Sequence, residues 1–487
     1  MSKQNSSKSS STIDYQQNFK KVLLIIALLV SGGFITMFSE TVLTPALPTI
    51  MEETNVSTNV AQWLTTGFIL VSAIMIPLTA FFINRFPTRR LFIGAMSLFA
   101  FGCLLCAISP NFTVILIGRF FQAAGAGIMM PLCQTVVLIL VPLNKRGTAM
   151  GVIGLVMALA PAIGPTLAGW VIDVMGWHIM FYIITALAAL DVILAGFVLE
   201  NVIETSRPQL DLASVILSSI GLASFLYGCT AAGDIGLLHI MPWLFIVIGV
   251  VTSAIFVKRQ FTLKEPFLDL RILRYRQFTI ATIIAMITNA ALISGAVMLP
   301  IFMQNIQGFS AMQAGLAMLP GAICMAIMNV VSGRIFDKYG PRGLVLIGLS
   351  MLTISAGAFV FMHPGTPFAL ICLIYTMRMV GVSMAMMPIT TWGLNTLSNK
   401  RMAHGTAINN TLRQVAGSIG TTFFVAIMTS FASLRPNEDY ITANLYGIHI
   451  SFGVITLFCI ISLIMSFIFV RTPKPNAVLK LKKTTQA

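Results

Sequence analysis

Apolar stretches long enough to cross about 30 Å of hydrocarbon recur along nearly the whole chain, and short clusters of polar residues separate them. A backbone in lipid has no water to bond to, so stretches of this length must satisfy their amide groups as helices. The short alternating segments of a membrane β-barrel are absent. The pattern predicts fourteen transmembrane helices, over 21–45, 60–83, 90–108, 112–140, 147–172, 178–199, 213–232, 242–258, 279–303, 313–336, 342–362, 367–394, 405–431 and 448–470. The expected fold class is therefore an all-α integral membrane protein.

Composition agrees with that reading. Of the 487 residues 57% are hydrophobic and only 9% charged, and the mean hydropathy is +0.91. A soluble domain carries roughly a quarter of its residues as charges, so a soluble enzyme is excluded and no catalytic residue is expected. The net charge of +15 could suggest nucleic acid, but the positions of the cations argue against such a partner. Of the 30 Lys and Arg, 26 fall in the two tails and the even-numbered loops, among them Arg85, Arg89, Arg90, Lys145, Arg146, Lys258, Arg259, Lys400 and Arg401. Arg119, Arg378 and Arg413 lie within predicted helices, and Arg435 falls on the opposite side. By the positive-inside rule both termini are expected in the cytoplasm, which an even helix count satisfies.

The Ser-rich stretch 1–20 reads as a cytoplasmic tail, and the apolar run behind it is too long and too rich in Pro for a cleaved signal peptide. The basic stretch 471–487 reads as a second tail, against anionic headgroups of the lipid bilayer. All seven Cys fall inside predicted helices, so packing is expected rather than a disulfide framework or a metal site. No Gly-Lys-Ser or Gly-Lys-Thr phosphate loop occurs, which argues against an ATP-driven pump. No cofactor is expected.

The chain also repeats itself. Met129-Met130-Pro131 recurs as Met386-Met387-Pro388, and Asn144-Lys145-Arg146 with Gly147-Thr148-Ala149 recurs as Asn399-Lys400-Arg401 with Gly405-Thr406-Ala407. Arg119 then pairs with Arg378, and Asn84-Arg85-Phe86 with Asp337-Lys338-Tyr339. Matches in one order and register imply two pseudo-symmetric six-helix bundles, 21–205 and 276–470, with two inserted helices and a basic cytoplasmic connector over 206–275.

Four local patterns carry chemistry. Gly333-Arg334-Ile335-Phe336-Asp337-Lys338-Tyr339-Gly340-Pro341-Arg342 is a tight turn after helix ten, in which Asp337 can anchor a neighbouring helix end or simply set topology. Gly118-Arg119-Phe120-Phe121-Gln122 places a guanidinium inside helix four, where it needs a cavity, a partner or backbone carbonyls to clamp. Gly151, Gly154 and then Gly164-Pro165-Thr166-Leu167-Ala168-Gly169 on helix five permit close helix approach and a kink. Glu40-Thr41-Val42-Leu43-Thr44-Pro45 puts a carboxyl at membrane depth on helix one, where it can take up and release a proton or attract a cationic substrate. Asp191 on helix six is the only other acid well inside an apolar stretch; both acids could instead serve helix packing. Gln122 and Gln134 on helix four, and Arg378, Asn409, Asn410, Arg413 and Gln414 in the second half, are candidates for the lining of a central cavity. The 29 Met residues suit a pocket for varied apolar ligands, although most are expected to face lipid or fill gaps.

On these four patterns the sequence resembles the major facilitator superfamily over nearly its whole length. The likeness is to its 14-helix drug:proton antiporter branch of the EmrB/QacA type, close to lincomycin-resistance exporters. The resemblance implies a gating loop at Gly333, Asp337, Gly340 and Arg342 with a counterpart at Asn84 and Arg85. Asn84 stands where the family prefers Asp, which leaves an equivalent gating contact in the first half open. It implies a proton-coupling role for Arg119, Glu40 and Asp191, with Glu40 standing where the branch normally carries Asp. It also implies an export direction for the helix-five motif of Gly151, Gly154, Gly164, Pro165 and Gly169. The expected protein is a multi-pass protein of the cell inner (plasma) membrane, functional as a monomer, that exchanges protons for small amphipathic substrates, often cationic or lipophilic, by alternating access. Export of an endogenous lipid or metabolite, uniport without protons, and a sensor built on a transporter fold remain the alternatives.

Overall fold

In a computed structural model, residues 19–206, 210–235, 239–435 and 439–471 are described. Of the expected tails 1–20 and 471–487, residues 1–18 and 472–487 lie outside the described residues. Within them there are fourteen helices long and apolar enough to cross a membrane and no strand. In the first half they are α1 Phe19–Thr54, α2 Thr58–Arg85, α3 Thr88–Ala107, α4 Phe112–Leu140, α5 Arg146–Met175 and α6 Trp177–Val198. Two further helices follow, α7 Leu212–Ile235 and α8 Ile240–Thr262. The second half comprises α9 Arg276–Ile306, α10 Ala311–Tyr339, α11 Pro341–Val360, α12 Phe368–Leu394, α13 Asn399–Ser433 and α14 Tyr440–Phe469.

Local chemistry marks many boundaries. The Asn111 side chain accepts from the Val114 amide at 3.1 Å and caps α4. Ser310 and Gln313 form a reciprocal capping box at the start of α10. Gly340 takes φ +80°, a conformation glycine tolerates best, and Pro341 opens α11 immediately after it.

Several helices outrun their apolar cores. α1 continues to Thr54 instead of stopping at 45, through Pro45 and Pro48, because a membrane helix tolerates Pro. α13 starts at Asn399 rather than 405, and α14 at Tyr440 rather than 448. Hydropathy registers the portion in lipid, whereas the polar turns beyond it are still good helix. The basic connector is partly structured as well, with α8 running to Thr262 and a 3₁₀ turn at Leu270–Arg274.

The packing repeats with an offset of eight helices. In the first half α1 packs on α5 and α6, α4 on α2 and α3, and α3 on α6; in the second, α9 packs on α13 and α14, α12 on α10 and α11, and α11 on α14. Contacts between the halves obey the same symmetry, α5 against α10 and α2 against α13. One apolar core lies wholly within the second half, while that of the first half continues across the boundary to Met387, Leu394, Met402 and Ile408. α7 leans on α2 and α13, and α8 packs chiefly on α7, so the inserted pair sits outside the bundles. Leu244, Val247, Val250 and Val251 on α8 are exposed, an apolar surface suited to lipid.

Candidate transport site

A part-open cavity of about 430 Å³ lies between the halves. Thr36, Met37 and Glu40 form one wall from α1, and Asn410, Arg413 and Gln414 form the opposite wall from α13. Both sets follow i, i+3 or i+4 spacing and so share a helix face. Asn289 of α9 and Asn329 of α10 add amides, and Phe68, Met130 and Met387 add apolar surface. Glu40 is the one carboxylate among the lining residues and lies about 30 Å along α1 from Phe19 at 1.5 Å per residue.

Beside Glu40, Arg119 is fully buried and joins three helices. Its Nε donates to Leu64 O of α2 at 3.2 Å, and its Nη1 to Ser39 O of α1 at 3.3 Å and to Gln122 Oε1 of α4 at 2.8 Å. The guanidinium also stacks over Phe68, 4.2 Å from the ring centroid, so this ring stands between Arg119 and the cavity. The carbonyl that Arg119 holds on α1, Ser39 O, belongs to the residue that precedes Glu40.

The structure places several other candidates away from the cavity. Asp191 accepts from Ser31 Oγ at 2.8 Å, while its other oxygen is buried without a partner. Ser31 is about 13 Å along α1 from Glu40, so the two acids do not share a site. Gln122 belongs to the Arg119 clamp. Arg378 points at α9, donating to Ala291 O, and a Cβ at Gly295 would lie 2.4 Å from its Nη2. Asn409 also faces α9, 3.4 Å from Thr282 Oγ1; its neighbour Asn410 reaches the cavity because one residue turns the helix by about 100°.

One end of the bundle is bolted shut. The hydrogen bonds that join the two halves among the described residues all lie toward the end that carries Arg85, Lys145, Lys338 and Lys400. Asp337 accepts from the amides of Gly147 and Thr148 at 2.7 and 2.8 Å and from Thr148 Oγ1 at 2.6 Å, seating a carboxylate on the N-terminus of α5. Arg146 donates to Asn395 Oδ1 at 3.0 Å, Thr135 meets Thr406 at 2.6 Å, and Asn410 donates to Gln134 Oε1 at 2.7 Å. Asn84 contacts His404 Nε2 at 3.1 Å, and the Asp269 amide donates to His404 Nδ1 at 3.3 Å. The first half therefore does have a contact at this position, made by a neutral amide.

Glycines set how closely the halves approach. A Cβ at Gly333 would lie 2.3 Å from Gly147 O, one at Gly151 2.4 Å from Asn329 O, and one at Gly154 2.9 Å from the Asn329 side chain. Asn329 itself donates to Gly154 O at 2.9 Å. Further along α5, Gly164 approaches Thr41 of α1, Gly169 meets nothing within 4 Å, and Pro165 is exposed. Only the first part of this motif joins the halves. Gly340 serves the turn into α11, Arg342 lies over Phe467 of α14, and Arg85 is exposed.

Sequence reasoning missed Asn329, Asn289, His404 and the pair Thr135 and Thr406. Asn329 stands four residues before Gly333, on the same helix face, and that spacing was its available signal. Thr406 stands in the repeated Gly405-Thr406-Ala407, which marks the twofold relation but not a contact; Asn289, His404 and Thr135 are single polar residues with no local pattern.

Two symmetry-related helical bundles around one cavity, bolted at one end, have the architecture of a membrane transporter. The model of the Major Facilitator Superfamily matches residues 29–421. The uncharacterized MFS-type transporter YcnB of Bacillus subtilis is 41% identical, over 93% of this chain and 96% of the relative. The lincomycin resistance protein LmrB of the same organism is 37% identical over 86% and 88%. The human organic anion transporter MFSD10 has the same fold, with a TM-score of 0.66 at 14% identity over 91% of this chain and 99% of that one. The chain belongs to the major facilitator superfamily. It is a multi-pass cell-membrane transporter and not an enzyme.

Proposed function

We propose that this transporter is a proton-coupled exporter of small amphipathic compounds, with Glu40 as the proton-carrying group. The observation that carries the reading is the place of Glu40: one carboxylate in the wall of the cavity between the halves, beside a buried guanidinium. Resistance-protein relatives at 35–37% identity support the substrate class. The cation-rich end is taken as cytoplasmic by the positive-inside rule, so the arrangement described is shut toward the cytoplasm. In the cycle, Glu40 is protonated from outside, the halves rock about the contact of α5 with α10, and substrate entering from inside displaces the proton. Asp191, remote from the cavity, takes no part in this scheme. The protein acts as a monomer, without a cofactor, on the proton gradient alone.

Proton release on substrate binding tests this. Purified protein in weakly buffered detergent is titrated with a lipophilic dye while bulk pH is followed. Release that Glu40→Gln abolishes is expected; release unchanged in that variant contradicts the assignment.

A further inference from the structure

The wall opposite Glu40 contains a cation for which the protein supplies no counter-charge. Arg413 lines the cavity and is 6% exposed. Its guanidinium has one hydrogen-bond contact, Nη2 to the Met386 thioether at 3.9 Å, while Nε and Nη1 have none. No carboxylate lies within 4.0 Å of it among the described residues; the ion pairs there are Lys21 with Glu200, Arg259 with Asp211 and Arg401 with Asp269. Arg119, by contrast, has three built-in acceptors. A buried guanidinium with five donors and one soft acceptor is under-compensated.

The surroundings hold Arg413 there rather than neutralise it. Asn289 Nδ2 donates to the Arg413 carbonyl at 2.9 Å and fixes the backbone. The Asn410 amide group is committed to Gln134 and Thr406. Gln414, next in sequence, also lines the cavity and can add donors. With Arg119 behind Phe68, the cavity and its immediate backing carry two guanidiniums against the single carboxylate of Glu40. Such a balance disfavours a simple cation and favours a ligand that brings a negative acceptor.

We infer that Arg413 is an anion-accepting subsite of the transport cavity, so that the substrates are amphipathic compounds with a carboxylate, sulfonate, phenolate or similar acceptor seated on α13. A zwitterion can in addition direct its amine to Glu40, which reconciles this subsite with proton exchange at the opposite wall. The inference rests on the cavity being the transport site, but not on proton coupling.

Binding to the full-length protein in lipid nanodiscs separates these layers. The probes are anilinonaphthalene sulfonate, its uncharged parent phenylnaphthylamine and a trimethylammonium counterpart, each corrected for binding to empty discs. The wild type is expected to bind the sulfonate at least about tenfold more tightly than the uncharged parent, the lower end of what a charge-assisted hydrogen bond contributes. Arg413→Gln removes that preference, read as the ratio of sulfonate to uncharged-probe affinity within the same protein; Arg413→Lys, which loses the planar fork, keeps part of it. Glu40→Gln strengthens sulfonate binding. If Arg413→Gln does not fold, the wild-type preference and its reduction in Arg413→Lys decide the matter. Equal binding of the three probes, or a preference unchanged in the variants, overturns the anion subsite while leaving the cavity as the site. No binding of any probe overturns both.

Discussion

Replacing Asp337 with Ala removes the strongest bolt at the cation-rich end. The carboxylate accepts three hydrogen bonds from the first turn of α5, at 2.6 to 2.8 Å, and those bonds exist only while α5 and α10 are in contact at this end. Hydrogen bonds to charged groups contribute about 1.5–3 kcal/mol each, but water replaces much of that when the end opens. A differential of about 2–4 kcal/mol between shut and open states follows, including a helix-terminus contribution of about 0.3–1 kcal/mol. At a factor of ten per 1.4 kcal/mol, the equilibrium moves toward opening by roughly 30- to 700-fold. Spin labels at Arg85 and Lys400, in a background without native Cys, report the gap by double electron–electron resonance. Asp337→Ala is expected to move most of the population to the longer distance, and Asp337→Asn to produce an intermediate shift. Superimposable distance distributions for wild type and Asp337→Ala would refute the latch.

Three further outcomes follow from the same geometry. Gly333→Ala places a Cβ 2.3 Å from the Gly147 carbonyl, an overpacking that costs about 1–3 kcal/mol, and the same labels should report opening at this end while all Asp337 acceptors remain. Arg119→Ala strands Leu64 O, Ser39 O and Gln122 and is expected to lower the thermal midpoint in detergent by several degrees, with Arg119→Lys recovering only part because a lysine cannot serve three acceptors in a fixed fork. Between the inserted helices, Arg259 donates to Asp211 through two bonds at 2.6 and 2.9 Å and, chiefly by that hydrogen bonding, lowers the Asp211 pKa to about 2. Because the folded value lies below the unfolded one, the pair stabilises above about pH 4 and that contribution fades as pH falls toward 2. The difference in thermal midpoint between wild type and Asp211→Asn should therefore hold from pH 8 to about pH 4 and narrow below it.

How far the sequence could be read depended on whether partners were local. Helix number and the twofold repeat were legible because lipid imposes a length on every span, and the repeat was written in matching residues such as Met129-Met130-Pro131 and Met386-Met387-Pro388. Helix ends were not, since the polar turns at 399–404 and 440–447 are helical without being apolar. Arg119 and Glu40 stood out as charges at membrane depth. The acceptors of Arg119 did not, because two of them are backbone carbonyls that any residue provides. Asp337 was recognisable in its turn, but its partners are amides of Gly147 and Thr148, 190 and 189 residues away. Asn409 and Asn410 differ by one position and so by a rotation that sequence spacing alone does not orient.

Gradient-driven transport tests the central claim most directly. Proteoliposomes of the wild type and Glu40→Gln, with the same orientation and protein content, are loaded with a lipophilic dye and given a pH gradient of either sign or none. The wild type should move dye against its own gradient only when protons run the other way, and Glu40→Gln should lose that uphill movement while still exchanging dye downhill. Uphill movement that survives in Glu40→Gln, or wild-type movement indifferent to the pH gradient, contradicts the account.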